Sequence, residues 1–232
     1  MRIMRRLSIP PLVLLAFAIA LIAIAELSSL HWLLPLESRV SDYFVRTHAL
    51  KLQADPEIVI VDIDEKSLAS MADTAGSWPW PRSVHGELVE ALERQQPKAI
   101  VFDILFTDPD IYRPESDAYF NAVVAQHRNI YFPMIRLDPA SDKNGVPVAE
   151  FAALIGMQAT PVADPDARVA LAPPHAIAPE SWRLGAINYS EDSDGIGRRY
   201  HVYLSASGWR IPSLPARLAK DLGFDLPQTE QI

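Results

Sequence analysis

An uncharged apolar run near the N-terminus places the strongest constraint on how this chain can fold. The run extends from Leu7 to Ala25 without a charged residue, and three arginines precede it, namely Arg2, Arg5 and Arg6. A transmembrane helix needs about 20 apolar residues, and flanking arginines favour the cytoplasmic side. The pattern therefore predicts a basic cytoplasmic tail over residues 1–8 and one transmembrane helix over residues 9–34.

This topology also predicts where the rest of the chain lies. The N-terminus would be cytoplasmic, the span would lie in the inner (cell) membrane, and residues 37–232 would form a periplasmic or extracellular domain. A cleaved signal peptide is the alternative, because Ala23 to Ala25 form a suitable small-residue cleavage site. Both interpretations export the remainder of the chain.

Composition narrows the possible partners. Hydrophobic residues make up 49% of the 232 positions, which is enough for a substantial core, and the net charge of -8 argues against a nucleic-acid partner. The chain has no cysteine, so disulfides and thiolate metal sites are excluded. Its six histidines are scattered, which argues against a zinc site. We therefore expect no metal and no cofactor.

Hydrophobic periodicity predicts an α/β order of elements. An amphipathic, membrane-proximal helix is predicted over Glu37–Leu50, followed by buried strands over Ile58–Ile63 and Ala99–Phe106. Between the two strands, Val84–Gln95 reads as a helix with Ser83 as its N-cap. Strand, helix and strand at this spacing predict a right-handed βαβ unit.

The remaining pattern is less regular. A helix is predicted over Ser116–His127 and a third strand follows, in which Pro133 suggests an edge or a bend. Periodicity is lost from residue 136 to residue 183, and two strand-like runs then surround a Ser-Ala-Ser-Gly turn before a short helix over Pro215–Leu222. The predicted fold class is α/β, with a mostly parallel three-layer sheet, crossover helices and a C-terminal antiparallel hairpin, preceded by one transmembrane helix.

Three aspartates lie at or near the ends of the predicted strands, namely Asp62, Asp64 and Asp103. Ligands bind outside the carboxyl ends of strands in open α/β sheets, and a carboxylate pair there could hold a cation or attack a phosphate ester. The alternative is that Asp62 and Asp103 accept hydrogen bonds from loop amides or neutralise Arg82. The spacing leaves both interpretations open.

An acidic turn near Gly195 has some features of a calcium loop. Asp192 and Asp194 occupy suitable positions, but His201 stands where an EF-hand requires glutamate. With Arg198 close by, the sequence favours a tight acidic turn over a metal loop.

The stretch Trp-Pro-Trp-Pro-Arg contains Trp78, Trp80 and Arg82, and its prolines prevent a helix or a central strand. One interpretation is a rigid lid on the core, in which Arg82 pairs with Asp62 or Asp103. The other is an aromatic platform for a ligand.

Four stretches taken together are similar to an extracellular sensor family: IVIVDIDEKSLA, WPWPRSVHGELVEAL, AIVFDILFTDPD and DSDGIGRRYHVYL with GWRIPSLPARLA. In this order they resemble the second type of CHASE domain. The resemblance implies an input module for a cyclase or kinase output that is absent from this chain. It also implies eight ligand-binding or signature residues: Asp62, Asp64, Trp78, Trp80, Arg82, Asp103, Asp194 and Arg198.

The leading hypothesis is thus an extracytoplasmic sensory domain of a membrane receptor, with an unknown small-molecule or physical stimulus and no catalytic residue of its own. It would be a homodimer through the membrane-proximal helix. The alternatives are an exported magnesium-dependent phosphohydrolase using Asp62 and Asp64, and a structural module that oligomerises a membrane complex.

Overall fold

The computed structural model describes residues 10–26, 28 and 32–227. The chain forms two compact units, Met1–Asp62 and Ile63–Ile232. The α-helices of the described residues are α1 (Pro11–Ala25), α2 (Leu34–Ala49), α3 (Glu65–Ala75), α4 (Arg82–Glu93), α5 (Pro114–Ala125), α6 (Val148–Ile155) and α7 (Leu214–Asp221). Short 3-10 helices cover Pro139–Asn144 and Pro179–Ser181.

The strands found in the described residues all belong to the second unit. They are β1 (Ile100–Val101), β2 (Ile130–Arg136), β3 (Val146–Pro147), β4 (Gln158–Ala159), β5 (Arg168–Val169), β6 (Leu171–Ala172), β7 (Leu184–Ala186), β8 (Tyr203–Ala206) and β9 (Trp209–Pro212). Most are only two to four residues long.

The predicted transmembrane helix is wrong on the described residues. Helix α1 has 15 residues, which corresponds to about 22 Å, whereas a bilayer core is about 30 Å thick. None of the helices in residues 10–26, 28 and 32–227 has both the length and the apolar character that a membrane crossing requires. This finding overturns the span predicted over residues 9–34 and the single-span localisation built on it. The predicted tail over residues 1–8 lies outside the described residues.

In the first unit, α2 covers the helix predicted over Glu37–Leu50. The buried strand predicted over Ile58–Ile63 is absent, and Ile58 to Val61 are between 55% and 86% exposed. The first backbone N–H groups of this segment make hydrogen bonds within a local turn: Ile58 donates to the Asp55 carbonyl and Glu57 donates to the Asp55 carboxylate. β-Branched residues favour a strand only when a neighbouring strand packs against them.

In the second unit, three small sheets replace the single mostly parallel three-layer sheet that the sequence predicts. The largest is built around β2, which pairs in parallel with β1 and β7 and antiparallel with β6. The other sheets are β3–β5 and β4–β9–β8. The fold is therefore mixed α/β, and the predicted fold class is corrected accordingly.

Pro133 lies in the middle of this sheet, not at the predicted edge or bend. Phe132 donates to the Arg183 carbonyl on the β7 side, and successive amides of a strand point to opposite sides. Position 133 therefore faces the other side, where the pairing with β1 has ended at Tyr131 and the pairing with β6 begins at Ile135. The missing N–H of proline leaves no ladder bond unmade.

Much of the core lies between this sheet and helices α4 and α5, and α6 adds Val148, Ala152 and Ile155 to it. Its centre is aromatic, with Phe106, Phe120 and Phe132 each at most 2% exposed. Phe102 stacks on Phe132 with ring centroids 5.2 Å apart and planes 7° apart. Burial of one phenylalanine contributes about 2 kcal/mol, so this cluster fixes how α4 and α5 lie on β1 and β2.

The predicted C-terminal hairpin is confirmed. Strands β8 and β9 pair antiparallel in register from Tyr203 with Pro212 to Ala206 with Trp209. Ser207 and Gly208 have φ of 48° and 78°, and positive φ at both turn residues is typical of a type I′ hairpin.

Candidate functional site

Two tryptophans and an arginine lie close together at the start of α4, one tryptophan buried and the other exposed. The Trp78–Pro79 peptide bond is cis, and α4 begins at Arg82 directly after Pro81. Trp80 is 6% exposed and Trp78 is 43% exposed, with their rings edge to face at 5.4 Å. We call Trp78, Trp80, Arg82 and His85, together with Asp117, which lies 3.8 Å from Arg82, the Trp–Arg cluster.

Arg82 connects three parts of the chain. Its terminal nitrogen donates to the Asp108 carbonyl at 3.0 Å, its guanidinium lies 5.4 Å from the centre of the Phe106 ring, and its Nε is 3.8 Å from Asp117 Oδ1. The carboxylate partner is thus Asp117 on α5, and the pairing predicted with Asp62 or Asp103 is wrong. Asp117 is positioned by its other oxygen, which accepts from the Asp110 N–H at 2.8 Å.

The site contains buried hydrogen-bonding atoms that are not used. Trp80 Nε1, Arg82 Nε and Asp117 Oδ1 are buried without a hydrogen-bond partner, because 3.8 Å between Nε and Oδ1 is too long for a hydrogen bond. Buried polar atoms are partnered in most structures, and an unpartnered one costs about 1–3 kcal/mol. Two hydrogen-bond donors and one acceptor near the junction of α4 and α5 therefore each remain able to form a further hydrogen bond.

His85 is buried among aromatic rings. It is 2% exposed and lies edge to face with Trp78, Phe102 and Phe106 at centroid distances of 6.0, 6.2 and 5.3 Å. Burial, followed by the positive charge of Arg82, lowers the pKa of His85 to about 4. The ring is therefore neutral at pH 7.

The aspartates predicted at the strand ends do not enter this site. Asp64 is the N-cap of α3, where it accepts from the amide and the hydroxyl of Ser67, both at 2.7 Å. These hydrogen bonds lower the pKa of the Asp64 carboxyl. Asp62 and Asp103 are exposed. Residues 10–26, 28 and 32–227 include no group of three or more histidine, aspartate or glutamate side chains placed to hold a metal ion.

Asp194 and Arg198 form a separate turn. Arg198 donates to Asp194 at 2.7 and 2.9 Å and to Asp192 at 3.0 Å, while the Gly195 N–H donates to the Asp192 carbonyl at 2.9 Å. The hydrogen bond from Arg198 is the main reason that the pKa of Asp194 falls to about 2. Arg198 thus binds the carboxylates of Asp192 and Asp194, in agreement with the predicted tight acidic turn.

Sequence reasoning missed two sets of polar residues. Asp117 and His85 belong to the Trp–Arg cluster. No motif includes Asp117, and His85 lies within the stretch WPWPRSVHGELVEAL, where no pattern marks it as a site residue. The second set fixes the end of β2: Asn188 accepts from the Arg136 N–H at 2.8 Å and donates to its carbonyl at 2.7 Å, while the Arg136 guanidinium binds Asp142 at 2.6 Å. Arg136 and Asn188 also line a cleft of about 360 Å³, but these hydrogen bonds already use their polar groups.

Comparison with protein families gives a match that covers nearly the whole chain. The model of the CHASE2 domain matches residues 15–231, a range that includes the Trp–Arg cluster and the acidic turn. No curated protein and no solved structure matches the chain.

Proposed function

The chain belongs to the CHASE2 domain family of extracellular sensory domains, and from this premise we propose that it is the input domain of a signal-transduction receptor. The proposed output is a cytoplasmic cyclase or kinase that lies outside these 232 residues. The proposed input is a small-molecule or physical stimulus that changes the contacts of the Trp–Arg cluster.

The observation that supports this role most directly is the incomplete bonding of Arg82. Its side chain is 13% exposed and donates a hydrogen bond to the Asp108 carbonyl. Its Nε lies 3.8 Å from Asp117 Oδ1, close enough for an ion pair, but neither atom makes a hydrogen bond. A shift of less than 1 Å between α4 and α5 would bring these atoms to hydrogen-bond distance. Such a shift would give the site a second arrangement, in which Arg82 and Asp117 are hydrogen-bonded.

The energy available from such a shift is suitable for signalling. A hydrogen bond to a charged group contributes about 1.5–3 kcal/mol, and about 1.4 kcal/mol changes an equilibrium tenfold. Forming or breaking the Arg82–Asp117 bond could thus change the ratio of two states by roughly 10- to 100-fold. A stimulus acts on this ratio only if it favours one of the two states.

The test joins the chain to a diguanylate cyclase output in cells and measures cyclic di-GMP. We expect Arg82→Lys and Asp117→Asn to change output at least fivefold at unchanged protein level. The matched control is Arg113→Lys, because Arg113 also pairs with an aspartate, Asp110 at 2.9 Å, but its side chain is 45% exposed. Output that stays at the wild-type value in both cluster variants, with the fold intact by circular dichroism, would contradict the proposal.

We also propose that the receptor is a homodimer through α2. Tyr43, Phe44 and Val45 on this helix are 64–65% exposed, and a second copy of the helix would cover such apolar side chains.

A further inference from the structure

A second cleft lies close to the Trp–Arg cluster, since Thr107 in its lining is followed directly by Asp108, which binds Arg82. Its volume is about 470 Å³, within the range of about 300–1,000 Å³ that is usual for small-molecule sites. The proline-rich segment that follows β6 forms most of its wall, and β6 itself, Thr107 and Trp182 form the rest. Its lining contains no aspartate, glutamate, lysine or arginine.

Hydrogen bonds hold the walls of this cleft in place. Trp182 Nε1 donates to the Ile177 carbonyl at 2.8 Å, and the Ala178 N–H donates to Asn121 Oδ1 on α5 at 2.8 Å. The Trp182 ring also lies 6.0 Å from the Phe151 ring. The cleft is therefore formed before any ligand arrives, so binding has little ordering cost.

The lining specifies the chemistry of the ligand. Pro173, Pro174 and Pro179 offer flat apolar rings, and Trp182 adds an aromatic one, while Thr107 and His175 are the polar side chains of the lining. Without a charged partner, a charged ligand would lose hydration and gain no ion pair. We propose that this cleft binds an uncharged, mainly apolar ring compound that carries one hydrogen-bonding group.

Two links connect the cleft to the Trp–Arg cluster. Thr107 is followed directly by Asp108, whose carbonyl accepts from Arg82 at 3.0 Å. The second link runs through the residue before Thr107: the His175 N–H donates to the Phe106 carbonyl at 2.6 Å, and the Phe106 ring lies 5.4 Å from the Arg82 guanidinium. A ligand that moves Thr107 or His175 thus changes the surroundings of Arg82. This consequence rests on the proposed function, whereas binding itself does not.

The binding test uses the full chain and 2-naphthol, an uncharged ring compound with one hydroxyl group. Binding is followed by calorimetry and by the NMR signal of the Trp182 indole N–H. We expect saturable binding with a Kd of about 1 mM or below, a shift of the Trp182 signal, and at least tenfold weaker binding of the anion 2-naphthalenesulfonate.

Matched variants locate the site. Ala178→Leu adds volume to the lining and should weaken 2-naphthol binding at least tenfold, whereas Ala159→Leu, on an exposed position of β4, should leave it unchanged. If Ala178→Leu does not fold, Thr107→Val removes the hydroxyl at nearly constant volume and should weaken binding about threefold. Absence of saturation, equal binding of the sulfonate, or binding that the folded lining variants leave unchanged overturns the inference.

The cyclase assay separates this inference from the proposed function. Binding of 2-naphthol at the cleft without any change in output leaves the cleft assignment standing and counts against the proposed function. The reverse result, altered output in the Arg82 variants with no 2-naphthol binding, overturns the cleft assignment alone.

Discussion

Acid should destabilise this domain through His85. The folded-state pKa is about 4, against 6.5 for an ordinary histidine, and one pKa unit is equivalent to 1.36 kcal/mol. Because the folded pKa is the lower one, the neutral ring is favoured in the folded state. The contribution to stability is present above pH 6.5 and is lost as the pH falls towards 4. Over a gap of about 2.5 units, the loss is about 2 kcal/mol between pH 7 and pH 5 and about 3 kcal/mol by pH 4.

Urea unfolding of the full chain at pH 7, 5 and 4 measures this loss. Other groups titrate in the same range, so the quantity to compare is the difference between wild type and His85→Phe, which keeps an aromatic ring but cannot bind a proton. Between pH 7 and pH 5, the free energy of unfolding of the variant should fall by about 2 kcal/mol less than that of wild type. As a control, His48→Phe at an exposed position of α2 should behave as wild type. If His85→Phe does not fold, NMR titration of the wild-type ring provides the direct test. Equal pH dependence in wild type and His85→Phe, or a measured pKa near 6.5, would refute the reasoning.

Two further predictions follow from polar and exposed residues. Asn188→Ala should lower the free energy of unfolding by about 2 kcal/mol, because it leaves both backbone groups of Arg136 without their partner. Asn144→Ala, at an exposed position, is the control. Equal urea unfolding midpoints for Asn188→Ala and wild type would contradict the assignment. Phe44→Cys on α2 should give a disulfide-linked dimer under oxidation, and any disulfide must join two copies of this position because the chain has no other cysteine. Arg46→Cys, on the opposite side of the helix, should give much less dimer. Equal dimer yields on non-reducing gels would count against a dimer through α2.

Periodicity predicted several elements of the fold because they bury one face. The strand at β2, the helices at α4 and α5 and the C-terminal hairpin all appear close to their predicted positions. The prediction of Ser83 as the N-cap of α4 was wrong, because the helix already begins at Arg82. The Ser83 N–H donates instead to Ser116 Oγ at 2.7 Å. A tertiary contact there replaces the local cap.

Other elements could not be predicted from local pattern. Ile58–Val61 has ideal strand composition but pairs with no strand of the described residues, and pairing is a property of the whole fold. Helix α6 was missed between loops, although Val148, Ala152 and Ile155 lie on one buried face, because eight residues are too few for a reliable helical period.

The candidate site was predictable only in part. The motif identified Trp78, Trp80 and Arg82, since tryptophans between prolines are constrained by the chain itself. Asp117 lies 35 residues further along and is brought to Arg82 by the packing of α5 on α4. No spacing rule indicates such a pair.

The arrangement of strands around Pro133 has a consequence for aggregation. On that side of β2 the sheet ends in β1 and β6, which have two residues each and pair with β2 in opposite directions. An approaching strand from another molecule could match only one of these directions, and for no more than two residues. Very short edge strands are one way in which sheets avoid edge-to-edge association. A proline at the centre of the sheet thus helps to keep its border unsuitable for growth.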